Sequence, residues 1–345
     1  MTVELDKERR ALILAIEAEL RRRLLVVPRR PDGFNALRAE AEELALYGLP
    51  PKPKPGDASH AIWRALVGTP PQAEERIVSD LPLRLPGFDY QLNYNRLGTG
   101  AHQQTSRNWS GAVAAARSGA PFVTVYGRWQ VPRFRAPAGA PNGVVHACST
   151  WIGLDGHRRV SKSLPQIGTT QSVSLPGPPQ VEAWWQWWMR GHRNPPMPFA
   201  NFPVDQGDEV VCSLEVREPF RVVFNIANLT KQVAAPPKDV LAPFEFTPPY
   251  GPNPPSLEFF PVRGVAAEWI AERPTVWNGT ALYPLPDFDP VSFDPCLAAA
   301  PPSIRGLGSA RLIRMVEART APPRAAVLSR PRKRGTYRVD VTYRA

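Results

Sequence analysis

Hydrophobic residues follow two different spacings along this chain, and the change comes near position 106. In residues 4–27, apolar side chains recur every three or four positions from Ile13 to Leu24, which predicts an amphipathic helix. A second helix is predicted over roughly 34–47. The following stretch, 48–56, is rich in proline and predicts a stiff, polyproline-like linker.

From about position 106 onward, hydrophobic and polar residues alternate instead. Alternation predicts β-strands, because successive side chains of a strand point to opposite faces. It is clear in 122–126, 210–216 and 337–343, and in the last segment Tyr337 and Tyr343 are predicted to share a face with the valines between them. Many short strands joined by Pro- and Gly-marked turns are typical of an antiparallel sandwich, so we predict an all-β fold.

Composition sets the division of the chain. The 345 residues include 42 prolines, which argue against long uninterrupted helices. We predict an N-terminal extension over 1–105, mainly helical or irregular, and a β-sandwich domain over 106–345.

No apolar run approaches the roughly 20 residues of a membrane span. The apolar run Ala11–Ile16 ends at Glu17 and no small-residue cleavage site follows, so no secretory signal peptide is predicted.

The formal net charge of +11 is concentrated in the predicted sandwich domain. Residues 1–104 hold 15 basic and 14 acidic residues, whereas the rest of the chain holds 27 and 17. A basic balance invites comparison with nucleic-acid-binding proteins. However, no helix-turn-helix, zinc-finger or RNP-type motif is present, and the basic residues are dispersed except in Arg330–Arg334. We therefore expect no specific nucleic-acid partner and interpret that run as a solvated loop.

Cysteines and histidines give little support to redox or metal chemistry. Cys148, Cys212 and Cys296 allow at most one intramolecular disulfide, and Cys212 lies in a strand pattern that favours a small buried hydrophobe. The five histidines show no ligand spacing. No Gly-x-Ser-x-Gly, His-Glu-x-x-His, phosphate-binding Gly-rich loop or Cys-x-x-Cys motif occurs. We expect neither a metal nor a cofactor.

Two polar residues lie within apolar segments that otherwise read as buried strand. They are Gln166, in Leu164–Gly168, and Glu268, in Val265–Glu272. Burying a polar group unpaired costs about 1–3 kcal/mol, so each needs a partner or a function. An amide and a carboxyl that face one cavity can polarise a carbonyl and deprotonate a water. The alternative interpretation makes Gln166 a turn residue after Pro165 and Glu268 a strand-edge carboxylate.

The motifs around these two residues, taken in order, resemble those of the glutamic peptidases, also called eqolisins or peptidase family G1. They are Asn108-Trp-Ser-Gly111, Gly127-Arg-Trp-Gln-Val-Pro132, Trp151-Ile-Gly-Leu-Asp-Gly156 with Leu164-Pro-Gln-Ile-Gly168, Glu182-Ala-Trp-Trp-Gln-Trp-Trp188 and Val265-Ala-Ala-Glu-Trp-Ile-Ala-Glu272. The resemblance runs from about position 106 to near the end, and the scarcity of cysteine makes the chain similar to a bacterial-type member. It implies a concanavalin A-like sandwich of two curved antiparallel sheets, with a cleft on the concave face.

The resemblance also implies an activity and a set of site residues. The activity is hydrolysis of internal peptide bonds in polypeptides, with Glu268 as general base and Gln166 orienting the water and stabilising the oxyanion. The residues that match positions around the family's cleft, and are expected to bind substrate, are Asn108, Trp109, Gly111, Trp151, Asp155, Gly168, Trp184, Gln186 and Trp188. On a strand, Trp184, Gln186 and Trp188 share one face, whereas Trp185 and Trp187 point the other way into packing.

Two departures from the family pattern remove carboxylates near the dyad. Gln186 stands where the family has Glu, and Thr170 where it has Asp. Because like charges raise one another's pKa, we predict a lower pKa for Glu268 than in a carboxylate-rich relative. The resemblance further implies an acidic working pH, an extracellular location and an N-terminal prosegment. We therefore hypothesise that 1–105 is a propeptide; the competing interpretation is that 57–105 wraps the sandwich permanently.

A rival function comes from the same residues. Concave sheets with tryptophan platforms also suit sugars, and lost carboxylates would be expected in a degenerate enzyme. The alternative is therefore a non-catalytic sandwich that binds carbohydrate or peptide through a Trp-rich face. The sequence carries no signal for an oligomeric state.

Overall fold

The computed structural model describes residues 31, 33–46, 52, 64, 75–77, 96–99, 103–117, 120–157, 161–190, 195–247, 256–276, 281–301, 303–317 and 326–343. The helix predicted over 4–27 lies outside these residues, as does the linker 48–56 apart from Lys52. Of the second predicted helix, the structure has α1 (Ala41–Leu46). The residues before α1 form turns, because the Asn35 side chain accepts the Leu37 N–H at 3.0 Å and so competes with helical bonding. No helix in this part of the chain is long and apolar enough to span a membrane.

Strands dominate the described part of the chain. The first twelve are β1 (Glu75–Ile77), β2 (Arg96–Thr99), β3 (Gln103–Ser106), β4 (Trp109–Ala115), β5 (Thr124–Gln130), β6 (Phe134–Arg135), β7 (Val145–Leu154), β8 (Ser163–Ser174), β9 (Gln180–Met189), β10 (Met197–Pro198), β11 (Glu209–Glu218) and β12 (Arg221–Asn228). The next twelve are β13 (Val233–Ala234), β14 (Lys238–Leu241), β15 (Phe244–Thr247), β16 (Ser256–Phe259), β17 (Ala266–Glu272), β18 (Asp287–Phe288), β19 (Val291–Phe293), β20 (Leu297–Ala300), β21 (Ser303–Arg305), β22 (Arg311–Glu317), β23 (Ala326–Arg334) and β24 (Arg338–Tyr343).

Most of these strands form two sheets. The larger has the order β10-β9-β8-β7-β17-β4-β22-β23-β24-β19, with β3 against β22 and β2 against β3. The smaller has the order β1-β14-β12-β11-β5-β20-β21, with β13 against β12. The pairs β15/β16 and β6/β18 stand apart. Pairing is antiparallel except between β1 and β14 and between β3 and β22. The predicted all-β, sandwich-like fold is confirmed.

The two sheets pack face to face around one hydrophobic core. Trp269 on β17 reaches across the sandwich and donates its indole N–H to the Tyr126 carbonyl on β5 at 2.8 Å. Trp185 on β9 meets Phe224 on β12 with ring centroids 5.3 Å apart. The face of the larger sheet away from this core is called the outer face below. A second apolar cluster lies on it, made of Trp109, Val113, Trp151, Leu164, Trp184, Trp188, Ala266, Ile270 and Ile313.

The alternation predicted for β9 is confirmed. Trp185 and Trp187 belong to the sandwich core, whereas Trp184 and Trp188 belong to the outer-face cluster. The alternation predicted for the last strand holds only in part. Val339 and Val341 are fully buried, but Tyr337 is 45% exposed, because it lies in the turn before β24 begins.

Two further expectations can be compared with the structure. The basic run Arg330–Arg334 is not a loop, as predicted, but the second half of β23, paired in register with β24. Its arginines are nevertheless exposed, because they point away from the core, whereas Pro331 between them lies opposite Val341 of the core. All three cysteines are free and buried, in line with the expectation for Cys212.

The predicted extension contributes strands to both sheets. In the smaller sheet, β1 pairs with β14, while β2 and β3 join the larger sheet through β22. Since β3 spans residues 103–106, it crosses the predicted boundary at 105. The division into an extension and a sandwich domain stays a prediction.

Candidate active site

Cross-strand register brings Gln166 and Glu268 to the same level on the outer face. Glu268 on β17 lies opposite Gly153 on β7, and Gly153 lies opposite Gln166 on β8. Residues directly opposite one another share a face, and neighbouring strands are about 4.8 Å apart, so the two Cα atoms are roughly 10 Å apart. Gly153 has no side chain of its own, and a Cβ there would lie 2.9 Å from Leu164 Cδ1 and 3.0 Å from Trp151 Cζ3. On the next strand, β9, Gln186 lies opposite Gln166, so Glu268, Gly153, Gln166 and Gln186 form one row across four strands.

Gln166 is held by one hydrogen bond inside a strand. Its side chain, 2% exposed, donates from Nε2 to Oε1 of Gln186 at 2.5 Å. Its own Oε1 is buried with no hydrogen-bond partner among the described residues. The interpretation of Gln166 as a turn residue is wrong, since Pro165 and Gln166 both lie within β8 and pair with β9.

Glu268 is fully buried in the middle of the larger sheet. Its Oε1 accepts the backbone N–H of His157 at 3.2 Å, and its Oε2 has no partner in the described part of the chain. Burial raises the pKa of this carboxyl well above its usual range, and the nearby carboxyls of Asp155 and Glu272 raise it further. Because β17 lies between β7 and β4, the strand-edge interpretation of Glu268 is also wrong.

The Asp155 side chain accepts hydrogen bonds from the segment that leads into β17. Its Oδ2 accepts the backbone N–H groups of Arg263 at 2.6 Å and Gly264 at 3.1 Å, and its Oδ1 accepts that of Val265 at 2.7 Å. The residue itself has φ +70°, which Asp tolerates better than most residues. Burial raises the pKa of Asp155, although these backbone bonds oppose the shift. This carboxyl therefore positions the strand that carries Glu268 and also raises the pKa of Glu268.

Glu272 is a second buried acid on the face of Glu268, and it was not predicted as a site residue. Its Oε2 accepts the indole N–H of Trp151 at 2.7 Å, and its Oε1 accepts the amide of Asn108 at 3.3 Å. Trp151 in turn meets Trp109 edge to face, with ring centroids 4.9 Å apart. Burial raises the pKa of Glu272 to about 8, so it is neutral at acidic pH. The signal was available, because Glu272 lies four residues after Glu268 on one strand.

The other tryptophans of the site are buried. Trp184, 4% exposed, donates its indole N–H to Thr170 Oγ1 at 2.8 Å, and Thr170 also bonds the Ser149 hydroxyl at 2.8 Å. Trp188 is 8% exposed. A sugar-stacking platform needs an open ring face, so this burial does not favour carbohydrate binding.

Gly111 and Gly168 have a packing reason to be glycine. A Cβ on Gly111, which has φ +151°, would overlap the Trp269 carbonyl oxygen of the neighbouring strand. A Cβ on Gly168 would overlap the Thr150 carbonyl and the Trp151 side chain. Both glycines allow close approach of neighbouring strands beneath the site.

His157 and Gln104 adjoin the dyad and were not predicted from the sequence. A ring nitrogen of His157, Nε2, lies 2.6 Å from Oε1 of Gln104 on β3, while the His157 backbone donates to Glu268. Nothing in the local pattern could have indicated this pair, because Gln104 is 53 positions away in the chain. Among the described residues, no three His, Cys, Asp or Glu side chains form a group suited to a metal ion.

Comparison with known proteins identifies relatives of this arrangement. Residues 107–343 match the model of the Peptidase A4 family. Scytalido-glutamic peptidase, solved with a transition-state analogue inhibitor, has a similar fold, with a TM-score of 0.51 and 19% identity over 69% of this chain and 98% of that one. Aspergilloglutamic peptidase from Aspergillus niger has a TM-score of 0.45 and 21% identity over 58% and 99%. No curated protein sequence matches the chain.

Proposed function

Because the chain belongs to the Peptidase A4 family of glutamic peptidases and is a peptide-bond hydrolase, we propose that it is an endopeptidase that uses Glu268 as general base and Gln166 as oxyanion donor. One observation carries this proposal. Glu268 and Gln166 lie level on the outer face across Gly153, and each has a buried oxygen without a partner in the described chain.

The two unpartnered oxygens fit a single water. Both Glu268 Oε2 and Gln166 Oε1 are acceptors, and a water molecule offers two hydrogens to two acceptors. Leaving two buried acceptors unsatisfied costs about 1–3 kcal/mol each, so a donor between them stabilises the site. A water held in this way has its lone pairs directed away from both side chains, toward a carbonyl carbon that enters the cleft.

The catalytic steps follow from the groups present. Glu268, ionised, takes a proton from the water as its oxygen attacks the scissile carbonyl carbon. The carbonyl oxygen becomes an oxyanion and accepts the second N–H of Gln166 Nε2, since the first is used by Gln186. Glu268 then transfers the proton to the leaving amine, the C–N bond breaks, and the carboxyl is ionised again.

Two effects favour the ionised form of Glu268 that the mechanism requires. Below its pKa of about 8, Glu272 is neutral and puts no second charge beside Glu268. Water on the free Oε2 hydrates the Glu268 carboxylate and reduces the burial penalty that raises its pKa. We propose from the family that turnover occurs at acidic pH, on unfolded or extended polypeptides.

Digestion of casein and of synthetic peptides across pH 2–7 tests the proposal. We expect cleavage that is lost in Glu268→Gln and is unaffected by pepstatin or chelators. Glycan binding without any cleavage would contradict it. As a matched control, Glu182→Gln changes an exposed glutamate on β9 and should retain activity.

A further inference from the structure

Gln104 lies on the outer face of the larger sheet, although its position in the chain falls within the predicted N-terminal extension. It belongs to β3, which pairs in parallel with β22 so that Gln104 lies opposite Ile313. Ile313 is part of the outer-face cluster, so the side chain of Gln104 is on the same face. That side chain is 1% exposed. A polar side chain buried on this face is expected to hydrogen-bond there.

Gln104 contacts the site through His157. Its side-chain oxygen Oε1 lies 2.6 Å from Nε2 of the His157 ring. An amide oxygen only accepts, so Nε2 is the donor in this pair. On the sheet, β3 is three strands from β17, which corresponds to roughly 14 Å. His157, together with the side chains of Gln104 and Glu268 that it bonds, spans this gap.

The backbone N–H of His157 is the donor to the Glu268 carboxyl. The His157 nitrogen lies 3.2 Å from Glu268 Oε1, and no other described residue donates to this carboxyl. The same nitrogen lies 3.0 Å from the carbonyl oxygen of Asp155. A hydrogen shared between two acceptors favours one or the other as the peptide plane rotates, because a hydrogen bond weakens with its angle. The strength of the bond to Glu268 therefore depends on the orientation of the His157 backbone.

The turn that carries His157 contains a residue with unusual backbone freedom. Asp155 has φ +70° and Gly156 has φ +80°, so two successive residues adopt left-handed backbone. Glycine reaches other conformations at little steric cost, so Gly156 allows the following peptide to rotate. A contact beyond Gly156 limits that rotation. The hydrogen bond from the His157 ring to Gln104 is such a contact.

The bond from His157 favours the form of Glu268 that acts as a base. Burial raises the pKa of Glu268, as do the carboxyls of Asp155 and Glu272, whereas the His157 N–H lowers it. A donor held to the carboxylate stabilises its charged form. The bond also fixes Oε1, which leaves Oε2 as the oxygen available to a water.

We propose that Gln104 is a positioning residue for the catalytic base: by holding the His157 ring, it directs the His157 N–H toward Glu268. This inference rests on the proposed role of Glu268 as general base. It makes β3 part of the active site. The competing explanation is structural, in that the bond between Gln104 and His157 only attaches β3 to the turn after β7.

Substitution of Gln104 in the full-length protein separates the two explanations. Gln104→Met keeps the length of the side chain, removes the acceptor and changes no charge. We expect the acidic limb of kcat/KM for a fluorogenic peptide to rise by about 0.5–1 pH unit, because a weaker bond to the carboxylate raises the pKa of Glu268. Above that limb, kcat should fall about three- to tenfold with KM within about twofold, since the base is less well oriented while the substrate still binds.

Gln171→Met is the matched control. Gln171 is also a buried glutamine, but it lies opposite Cys148 of the sandwich core. There it accepts a hydrogen bond from Cys148 Sγ at 3.4 Å and donates to Thr169 Oγ1 at 2.6 Å. This variant should lower the unfolding free energy in urea, as Gln104→Met does, but leave the acidic limb in place. A limb that moves equally in both variants would overturn the inference.

His157→Ala keeps the backbone N–H and removes the ring, and it tests the same interaction if Gln104→Met does not fold. We expect its acidic limb to rise as well. Since both substitutions remove one interaction, Gln104→Met/His157→Ala should move the limb no further than the larger of the two single shifts. A shift equal to their sum would overturn the inference, because Gln104 would then act on Glu268 independently of His157.

The remaining outcomes separate this inference from the proposed function. If Gln104→Met and His157→Ala lower stability but leave the limb unmoved or lower it, the contact is only structural, and the inference fails while Glu268 stands as the base. If the wild type cleaves no peptide, or if Glu268→Gln is fully active, the proposed function fails and this inference fails with it.

Discussion

Gln166 and Glu268 lie opposite the same residue, Gly153, from the two strands that flank β7. Gly153 itself has no side chain, and each of the two residues has an oxygen free of any partner in the described chain. In the proposed mechanism, the carboxyl group and the amide act together on one water and one peptide carbonyl. This relationship gives the proposed mechanism its geometry.

Gln166→Ala and Glu268→Ala should each abolish turnover while the fold persists. Removing an oxyanion donor typically costs about 10²–10³ in rate, and losing the only base should cost at least as much. The measurement is kcat/KM with a fluorogenic peptide, alongside circular dichroism. Wild-type-like kinetics in either variant, with unchanged spectra, would rule out the dyad.

Gly153→Ala should reduce kcat/KM more than it reduces stability. A Cβ there would lie 2.9 Å from Leu164 Cδ1 and 3.0 Å from Trp151 Cζ3, on the line between the dyad residues. Gly127→Ala is the matched control, because its Cβ would lie 2.7 Å from Ile152 Cγ2 but within the sandwich core. We expect both variants to lose about 1–3 kcal/mol of unfolding free energy, measured in urea. Equal kcat/KM in the two variants, per folded molecule, would contradict the assignment.

Gln186→Glu should move the acidic limb of kcat/KM to higher pH. The base must be ionised to act, so this limb follows the pKa of Glu268, which burial, Asp155 and Glu272 already raise. A carboxyl at position 186 would bond Gln166 directly and add a like charge on the same face. Gln180→Glu, at the exposed start of β9, is the control and should leave the limb in place. If Gln186→Glu leaves the limb unmoved or shifts it downward, the electrostatic argument is wrong.

The unfolding free energy should fall as pH rises from about 5 to 8, partly through Glu272. Its folded-state pKa of about 8 exceeds the ordinary glutamate value of about 4.3, so the folded protein keeps a proton that the unfolded chain releases. Stability from this group is therefore full below the unfolded pKa and is lost as pH rises toward 8. Urea unfolding in the Glu268→Gln background isolates it, and adding Glu272→Gln should flatten the slope. Identical slopes with and without Glu272→Gln would refute this origin.

A chain of residues 100–345 should fold and cleave peptides if the preceding segment is a propeptide. This chain keeps β3, which pairs with β22 and carries Gln104 next to His157, but it lacks β1 and β2. Size-exclusion chromatography, circular dichroism and casein digestion give the answer. A chain that starts at residue 107 and lacks β3 should be less stable. An insoluble product from 100–345 would show that β1 and β2 are required for folding, as the competing interpretation holds.

The sequence by itself determined which face of a strand each side chain occupies. The pleat of a strand fixes a period of two, so the pattern of β9 alone separates Trp184 and Trp188 from Trp185 and Trp187, as the structure confirms. The same rule puts Glu268 and Glu272 on one face. The all-β fold and the family followed from alternation and from the order of short motifs, both of which are local properties of the chain.

Register was decided only by the tertiary structure. Which residue lies opposite Gly153 depends on hydrogen bonds between strands that are distant in sequence, and no local pattern records them. The same holds for the hydrogen bond from the Trp151 indole to Glu272 and for the three backbone N–H groups that donate to Asp155. The raised pKa values of Glu268 and Glu272 depend on burial, which exists only once the sheets have assembled. The sequence therefore indicated Gln166 and Glu268 as candidate groups, whereas their distances, their charge states and the neighbours Glu272, His157 and Gln104 depend on long-range packing.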